Sequence, residues 1–333
     1  MKIRDPRSII IILVYAAANA AILLLSFSQI APEVTTVNAG KAIAPENTII
    51  QDMDYFTLKK GVPEISLSAE EMISRGETWA EFKLPKGVYN YQQKKESIRY
   101  QAMHGQYEKD SGLLVLTDKV KVTSSDSEYY ADKVHYYFDK DLVLGNGNVK
   151  FTGEDLKSKD NVIVESDKME AHPEQKLGTF TGRVRGSMSR QKKFEGKTDF
   201  TSQLLRLTGA ESLAHLEGDV WMKRDSYVIT AGKADMYLEN YNKSLKYFVL
   251  NDDVKVTEKL VTPEGVVHRK AFSERLEGFG REEKMVLSGA PRVETGSDVI
   301  KGYRITIREN VDLIEVDDAM SDVKVKREEK SKN

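Results

Sequence analysis

Histidines and paired carboxylates are the residue types with which this 333-residue chain could do acid–base or metal chemistry. The histidines form no H-E-x-x-H motif, the spacing at which a helix holds zinc. Acidic pairs such as Glu70-Glu71 and Asp252-Asp253 are adjacent, so in strands they point to opposite faces and predict no general acid–base pair. We interpret the five histidines as ordinary strand or turn residues: His104, His135, His172, His215 and His268.

Nucleophile and nucleotide motifs are also missing from the sequence. The chain contains no cysteine, which excludes disulfides, thiolate metal sites and a cysteine nucleophile. It has no G-x-S-x-G, P-loop or G-x-G-x-x-G motif, and Gly145-Asn146-Gly147-Asn148 is predicted to be a turn between strand segments. The sequence therefore predicts a protein that is not an enzyme and uses no metal or cofactor.

The charge balance argues against a polybasic nucleic-acid binder. Fifty Lys and Arg stand against 52 Asp and Glu, which gives a formal net charge of −2. A chain that binds nucleic acid through its phosphates usually carries a basic excess. Hydrophobic residues make up 40%, so most of the chain is expected to fold into a globular body.

The N-terminus predicts a membrane anchor. Residues 8–27 are almost wholly apolar, and 20 helical residues span about 30 Å, the thickness of a bilayer core. A cleaved signal peptide is the alternative, but its small-x-small triplet Ala18-Asn19-Ala20 lies inside the apolar run. Lys2, Arg4 and Arg7 predict a cytoplasmic N-terminus with the bulk of the chain in the periplasm.

The remaining chain divides into predicted segments. After the cytoplasmic end and anchor (1–30), residues 31–50 contain Pro and Gly without a sustained period and predict a linker. Residues 326–333 form a charged tail, interpreted as a solvated terminus. Between linker and tail, short alternating runs separated by Asp, Gly, Asn and Lys predict β-strands and no long helix.

The strand patterns repeat along the chain. Each predicted hairpin ends near a valine, and these marker valines recur every 29 to 39 residues, a period typical of stacked supersecondary units. Alternation puts each marker valine and the residue two positions later on one face. We interpret this row as core, or as the lining of an apolar groove. The lining residues are predicted as Val120, Val122, Val149, Phe151, Val184, Val220, Met222, Val254, Val256, Val293, Val323 and Val325.

The order of anchor, linker and hairpins resembles the LptC family, the membrane-anchored periplasmic component of lipopolysaccharide transport. The resemblance covers residues 1 to about 186. It rests on MDYFTLKKGVPEISLSAEEM (53–72), on WAEFKLPKGVYNY (79–91) with its proline midway, and on the hairpin YQAMHGQYEKDSGLLVLTDKVKV. All are degenerate strand patterns, so the specificity comes from their order.

A second resemblance covers residues from about 191 to 325. VITAGKADMYLENYNKSLKYFVLNDDVKV and KMVLSGAPRVETGSDVIKGYRITI are similar to the OstA-like repeat of LptA, the soluble bridge protein. The chain is longer than a single LptC module, and we interpret it as an LptC-like module (51–190) followed by an LptA-like module (191–325). The resemblance implies an all-β fold, an elongated antiparallel β-jellyroll of stacked hairpins shaped as a V-shaped open sandwich.

The resemblance also implies the function and the partners. The chain would accept lipopolysaccharide from the inner-membrane ABC transporter and pass it along an apolar groove toward an LptA-like bridge protein or the outer-membrane translocon. Exposed edge strands would join the modules by strand addition. The edge residues are predicted as Met53, Tyr55 and Thr57 toward the transporter, and Ile305, Ile307 and Leu313 toward the onward partner.

Two other classes of function stay open from sequence. One is a membrane-anchored structural or adhesive β-repeat protein with a dry core and no lipid ligand. The other is a carbohydrate-active enzyme on a β-solenoid, which would need converging carboxylates.

Overall fold

The chain is described from a computed structural model. The predicted anchor and the charged tail lie outside the described residues, and no helix within the described residues is long and apolar enough to span a membrane. The structure describes residues 47–59, 62–76, 78–91, 96–137, 140–154, 161–173, 175–189, 197–224, 226–239, 244–262, 265–279, 282, 284–308, 314–317 and 320–322.

The described residues fold almost entirely into β-strands, which confirms the predicted all-β class. The first strand begins at Asn47, so residues 47–50 of the predicted linker are strand. The strands are β1 (Asn47–Lys59), β2 (Val62–Arg75), β3 (Trp79–Lys83), β4 (Lys86–Tyr91), β5 (Glu96–Gln101), β6 (His104–Glu108), β7 (Leu113–Thr123), β8 (Ser127–Tyr137), β9 (Leu142–Glu154), β10 (Asn161–His172), β11 (Leu177–Ser189), β12 (Thr198–Thr208), β13 (Leu213–Arg224), β14 (Tyr227–Glu239), β15 (Ser244–Thr262), β16 (Gly265–Phe279), β17 (Lys284–Ser288), β18 (Arg292–Thr295), β19 (Asp298–Lys301), β20 (Arg304–Arg308), β21 (Ile314–Asp317) and β22 (Met320–Asp322).

All the strands pair antiparallel, and those in the middle of the sheet follow chain order. From β7 to β16 each strand pairs with the next, which forms a long meander. Toward both ends the strands are split into two pieces, because β2 pairs with both β3 and β4, and β16 pairs with both β17 and β18. The predicted stack of hairpins is thus one continuous antiparallel sheet.

A bend crosses the middle of the long strands, and we call it the corner. The pairing register shifts there, for example between Thr117 and Val120 and between Glu217 and Val220. Such bulges bend a strand. Two residues of one strand lie within each of these shifts, and one or both of them have positive φ, a conformation that Gly, Asn and Asp tolerate best. The corner pairs are Asp118-Lys119, Gly147-Asn148, Gly182-Arg183, Gly218-Asp219 and Asp252-Asp253.

The corner corrects the prediction of a turn at Gly145-Asn146-Gly147-Asn148. These residues lie inside β9, and Gly147 (φ 74°) and Asn148 (φ 46°) bend the strand without ending it. Asp252 and Asp253 likewise lie at a corner of β15 with positive φ, and both are exposed. The sequence pattern predicted two strands on either side of these residues, whereas in the structure the positive-φ residues bend one continuous strand.

Both halves of each bent strand face one interior. Leu216 before the corner of β13 and Val220 after it are both buried, as are Leu250 and Val254 of β15. All four belong to a single hydrophobic cluster that runs from Ala102 to Ile307. The sheet is therefore folded along the corner, with its apolar face inside.

Candidate functional site: the apolar interior

Five marker valines occupy one structural position, directly after the corner of their strands. All are between 0 and 2% exposed, and each pairs across the strands with a buried alanine or serine. The pairs are Val120 with Ala131, Val149 with Ser166, Val184 with Ser202, Val220 with Ala231, and Val254 with Ser273.

The serines of these pairs also satisfy the backbone where the ladder is interrupted. Ser166 Oγ donates to the carbonyl of Lys168 at 2.9 Å, Ser202 to Leu204 at 2.9 Å, and Ser273 to Arg275 at 3.0 Å. Each bond spans the bulge within one strand. The buried serine thus satisfies its hydroxyl at the corner with a main-chain carbonyl of its own strand.

A second set of predicted lining residues forms a continuous row, which we call the apolar rung. Its members are successive cross-strand partners, and Val122, Phe151, Met222, Val256 and Val293 of the prediction all lie in it. The apolar rung consists of Val122, Tyr129, Phe151, Val164, Gly186, Phe200, Met222, Ile229, Val256, Ala271, Val293 and Ile300.

Burial changes along the apolar rung. Val122 and Phe151, in the region predicted as LptC-like, are only half-buried, whereas Met222 and Val256 in the later region are 1 and 2% exposed. The interior is accordingly more open toward β7–β9 than at β13–β15. Val323 and Val325, the last predicted lining residues, lie outside the described residues.

Tyrosine rings cover glycines in the more open region. Tyr129 reaches across the corner to the Cα of Gly145 on the neighbouring strand, and Tyr100 lies over Gly87, its cross-strand partner. Burial raises the pKa of Tyr100 to about 12 and raises that of Tyr129 further. Both phenols are therefore neutral at physiological pH and act as apolar surface with one hydroxyl each.

The outer face carries charges, as the alternation predicted. Lys150 lies between the inward Val149 and Phe151, and its Nζ is 3.0 Å from Glu165 Oε1 on the adjacent strand. At the corner, Arg183 binds Asp167 at 2.8 Å, which holds the pKa of that carboxyl below its usual range. These ion pairs are exposed and contribute little to stability individually.

A polar row that the sequence analysis missed lies next to the apolar rung. Arg224, Tyr227, Glu258 and Arg269 are successive cross-strand partners and are each 9% exposed or less. Guanidinium Nη1 of Arg269 is 3.4 Å from Glu258 Oε2. The available signal was the alternation itself, because Arg224 and Glu258 each stand four residues after a marker valine, on the buried face.

The predicted edge residues fall in different places. Met53, Tyr55 and Thr57 lie in β1, which pairs with β2 alone among the described strands. Ile305 and Ile307 are 0 and 1% exposed in β20, which pairs on both sides with β17 and β21.

This corrects the prediction that Ile305 and Ile307 lie on an edge. Their apolar side chains face the core, and the adjacent strand β21 covers their backbone. The edge at this end of the described sheet consists of β21, which pairs with β20, and β22, which pairs with β19. Leu313 lies outside the described residues.

The histidines give no catalytic arrangement within the part of the chain that the structure describes. His215 Nδ1 lies 2.6 Å from Oδ1 of Asp235, its direct cross-strand partner. The other ring nitrogen of His215, Nε2, is 3.9 Å from Glu217 Oε2. The group stands on the outer face, and no described cluster of His, Asp and Glu could hold a metal ion. Such a pair links two strands.

The described strands form a folded antiparallel β-jellyroll with an apolar interior and edge strands at its two ends. The family model "Lipopolysaccharide-assembly, LptC-related" matches residues 11–189, slightly more than half of the chain. A second model, "LptA/(LptD N-terminal domain) LPS transport protein", matches residues 199–312. The chain belongs to the LptC family and continues into an LptA-like extension.

Solved structures also match parts of the chain, and one of them is as follows. It is the crystal structure of LptH from Pseudomonas aeruginosa, described as the LptA-homologous periplasmic component of the lipopolysaccharide transport device. Identity is 13% over 38% of this chain and 95% of that one, with a TM-score of 0.35. No curated protein sequence matches the chain.

Proposed function

We propose that this chain is a periplasmic bridge component that accepts lipopolysaccharide from the inner-membrane ABC transporter and passes it along its apolar interior toward the outer membrane. The half-buried side chains of Val122 and Phe151 support this proposal, because they offer acyl chains an apolar surface that the core has not closed. Each CH₂ withdrawn from water contributes about 0.8 kcal/mol, so acyl chains strongly favour such a surface.

The proposal assigns the chain to the inner membrane through residues 8–27, with its N-terminus in the cytoplasm. Residues 51–190 and 191–325 are proposed as the two transport modules. The family models divide the chain near the same point, at residues 189 and 199. ATP would be hydrolysed by the transporter, since the sequence has no nucleotide-binding motif.

Partner contacts are proposed at the two ends of the sheet. β1 would meet the transporter, and Phe56, which is 62% exposed, adds an apolar side chain to that strand. β21 would meet an LptA-like bridge protein or the outer-membrane translocon. Strand addition at these edges would supply main-chain hydrogen bonds that join one module to the next.

Site-specific photo-crosslinking in cells tests the lipid path. Benzoylphenylalanine replaces Phe151 or Val122, which belong to the inward row and are only half-buried, and replaces Lys150 or Lys121 as matched outward controls on the same strands. We expect lipopolysaccharide adducts from the inward pair alone, because alternate residues of a strand face opposite sides.

Either alternative outcome is informative about function. Adducts from neither pair, in a protein that is folded and membrane-bound, would favour the structural or adhesive β-repeat protein. Equal adducts from both pairs would mean that lipid contacts the outer face and would contradict transport through the interior.

A further inference from the structure

The hairpin of β15 and β16 projects beyond the strands on either side of it. β14 begins opposite Glu258 and β18 ends opposite Arg269, so neither reaches the end of the hairpin. The Lys259 amide still donates to the Ser226 carbonyl at 3.0 Å, and past this bond no described strand pairs with β15 on that side. Residues 260–267, which we call the hairpin tip, therefore extend about 10 Å further as a two-stranded projection.

The hairpin tip is apolar and exposed to solvent. Val261 and Val266 are direct cross-strand partners and are 82 and 52% exposed. They lie on the outer face, since Val261 comes three residues after the inward Glu258. Val267 on the opposite face is half-buried, so both faces of the hairpin tip carry aliphatic side chains. The core gains nothing from Val261 and Val266, and adjacent, projecting aliphatic side chains of this kind are typical of a contact surface.

Lysine side chains occupy the outer face next to the hairpin tip. Lys259 and Lys270 lie on the hairpin itself, and Lys255 lies further along β15. Lys223 lies on β13, in the same cross-strand row as Lys270. All four are exposed, and none forms an ion pair with a described residue. We call these four lysines the cationic wall.

The acidic residues described on the same face of β12–β18, beyond the corner, do not neutralise the cationic wall. Glu294 Oε1 is 3.1 Å from Arg292 Nε, and Asp199 Oδ1 is 2.7 Å from Lys197 Nζ, so each of these carboxylates has its own cation. The whole chain has a formal net charge of −2. The positive surface is therefore a local feature, which surrounds the apolar hairpin tip on one side of the molecule.

We propose that the hairpin tip and the cationic wall dock on a bilayer surface that contains anionic phospholipid. The lysines contact the lipid phosphates, and Val261 and Val266 enter the boundary between headgroups and acyl chains. Adjacent basic and apolar residues are the combination that holds peripheral segments on anionic membranes. A protein partner that added a strand to the hairpin would use its main chain, which does not account for four lysines without an ion pair. The docking surface lies on the outer face and is independent of the proposed path through the interior.

An environment-sensitive fluorophore at the hairpin tip tests insertion directly. The full-length protein is held in nanodiscs of phosphatidylcholine, and Val261→Cys is labelled with nitrobenzoxadiazole, since the chain has no cysteine of its own. Vesicles of phosphatidylcholine, or of an equal mixture of phosphatidylcholine and phosphatidylglycerol, are then added. We expect a blue shift, and quenching by doxyl-labelled lipid, with the mixed vesicles alone. Lys246→Cys, exposed near the opposite end of β15, is the matched control and should show neither change.

Sedimentation with sucrose-loaded vesicles measures the contributions of charge and of apolar contact. Each lysine near an anionic surface strengthens binding about fivefold, so Lys223→Gln/Lys259→Gln/Lys270→Gln should bind the mixed vesicles weaker by about tenfold or more. Val261→Ser/Val266→Ser should weaken binding about tenfold, because less apolar surface is withdrawn from water. The matched charge control replaces three exposed lysines elsewhere on the protein and should bind as the wild type does; it is Lys86→Gln/Lys133→Gln/Lys176→Gln.

The remaining outcomes would overturn the docking surface without touching the proposed transport. Equal binding to both kinds of vesicle, or equal losses in the two triple variants, would contradict a specific role for the cationic wall. Vesicle binding without a fluorescence change at Val261→Cys would place the membrane contact elsewhere on the molecule. A fluorescence change that appears only with a purified LptA-like bridge protein, and with no vesicle, would assign the hairpin tip to a protein partner.

Discussion

Gly182 shows at the scale of one residue how the corner is built. Its φ of 80° lies in the region where a side chain is strained, and a Cβ there would lie 2.8 Å from the Cβ of Asp167. Asp167 is itself held in place by Arg183, the next residue. The local backbone and the neighbouring side chain therefore both require glycine at this position.

We predict that Gly182→Ala lowers the free energy of unfolding by about 1–2 kcal/mol, because it adds left-handed backbone strain and crowds Asp167. Urea denaturation followed by circular dichroism measures this change. Gly178→Ala in the same strand is the matched control, since its Cβ would meet only Phe180 at 3.8 Å. Equal losses in the two variants would contradict a special role for the corner.

Single residues differ in how far their positions could be predicted from sequence. Val149 and Phe151 were placed inward correctly, because strict alternation around Lys150 allows one assignment. Arg224 and Glu258 obey the same alternation, yet a charged residue at an inward position is interpreted as exposed when its partners are unknown. Their cross-strand partner Tyr227 and the pairing Glu258–Arg269 become visible only when the register is known.

The repeating element is a bent strand with a small buried residue opposite each valine. Ser202 fills this place in β12, whereas β8 and β14 have Ala131 and Ala231. The side chains of serine and alanine are both small, but only serine donates a hydrogen bond across the bulge. The element thus tolerates two solutions to the interrupted backbone ladder.

Ser202→Ala is predicted to lower the free energy of unfolding by about 1 kcal/mol, because the hydrogen bond from the Ser202 hydroxyl to the carbonyl of Leu204 is lost. Chemical denaturation measures the loss, and Ser297→Ala in an exposed turn is the control and should change little. A loss near zero at Ser202 would show that the bulge satisfies its carbonyl in another way, as the strands with alanine must.

Element boundaries were harder to predict than element type. The alternating runs indicated strands throughout, and the structure confirms this for the described residues. The number of strands could not be predicted, because a pair such as Gly147-Asn148 looks identical in sequence whether it ends a strand or bends it. Proline stands at two of the places where the strand breaks into two, Pro85 between β3 and β4 and Pro291 between β17 and β18, whereas the breaks between β5 and β6 and between β19 and β20 have none.

At the scale of the whole molecule, strands paired on one side only lie at both ends of the described sheet, β1 at one end and β21 and β22 at the other. β1 is paired on one side only, and so is β21. Edge strands in monomeric proteins are usually covered or charged against association. The alternating exposed residues Glu315 and Asp317 charge one face of β21, but among the described strands its backbone pairs with β20 alone.

We predict that β21 contacts the onward partner, which a cysteine-specific photo-crosslinker can report, since the chain has no cysteine of its own. Glu315→Cys places the reagent on the edge strand, and Lys255→Cys places it on β15, which is paired on both sides. With a purified LptA-like bridge protein, Glu315→Cys on the edge strand should form an adduct. Lys255→Cys, on a strand in the middle of the sheet, should not, because only an unpaired edge can accept a strand. Adducts of equal yield would indicate contact through the sheet face, and adducts only at Lys255→Cys would place the partner away from this end of the molecule.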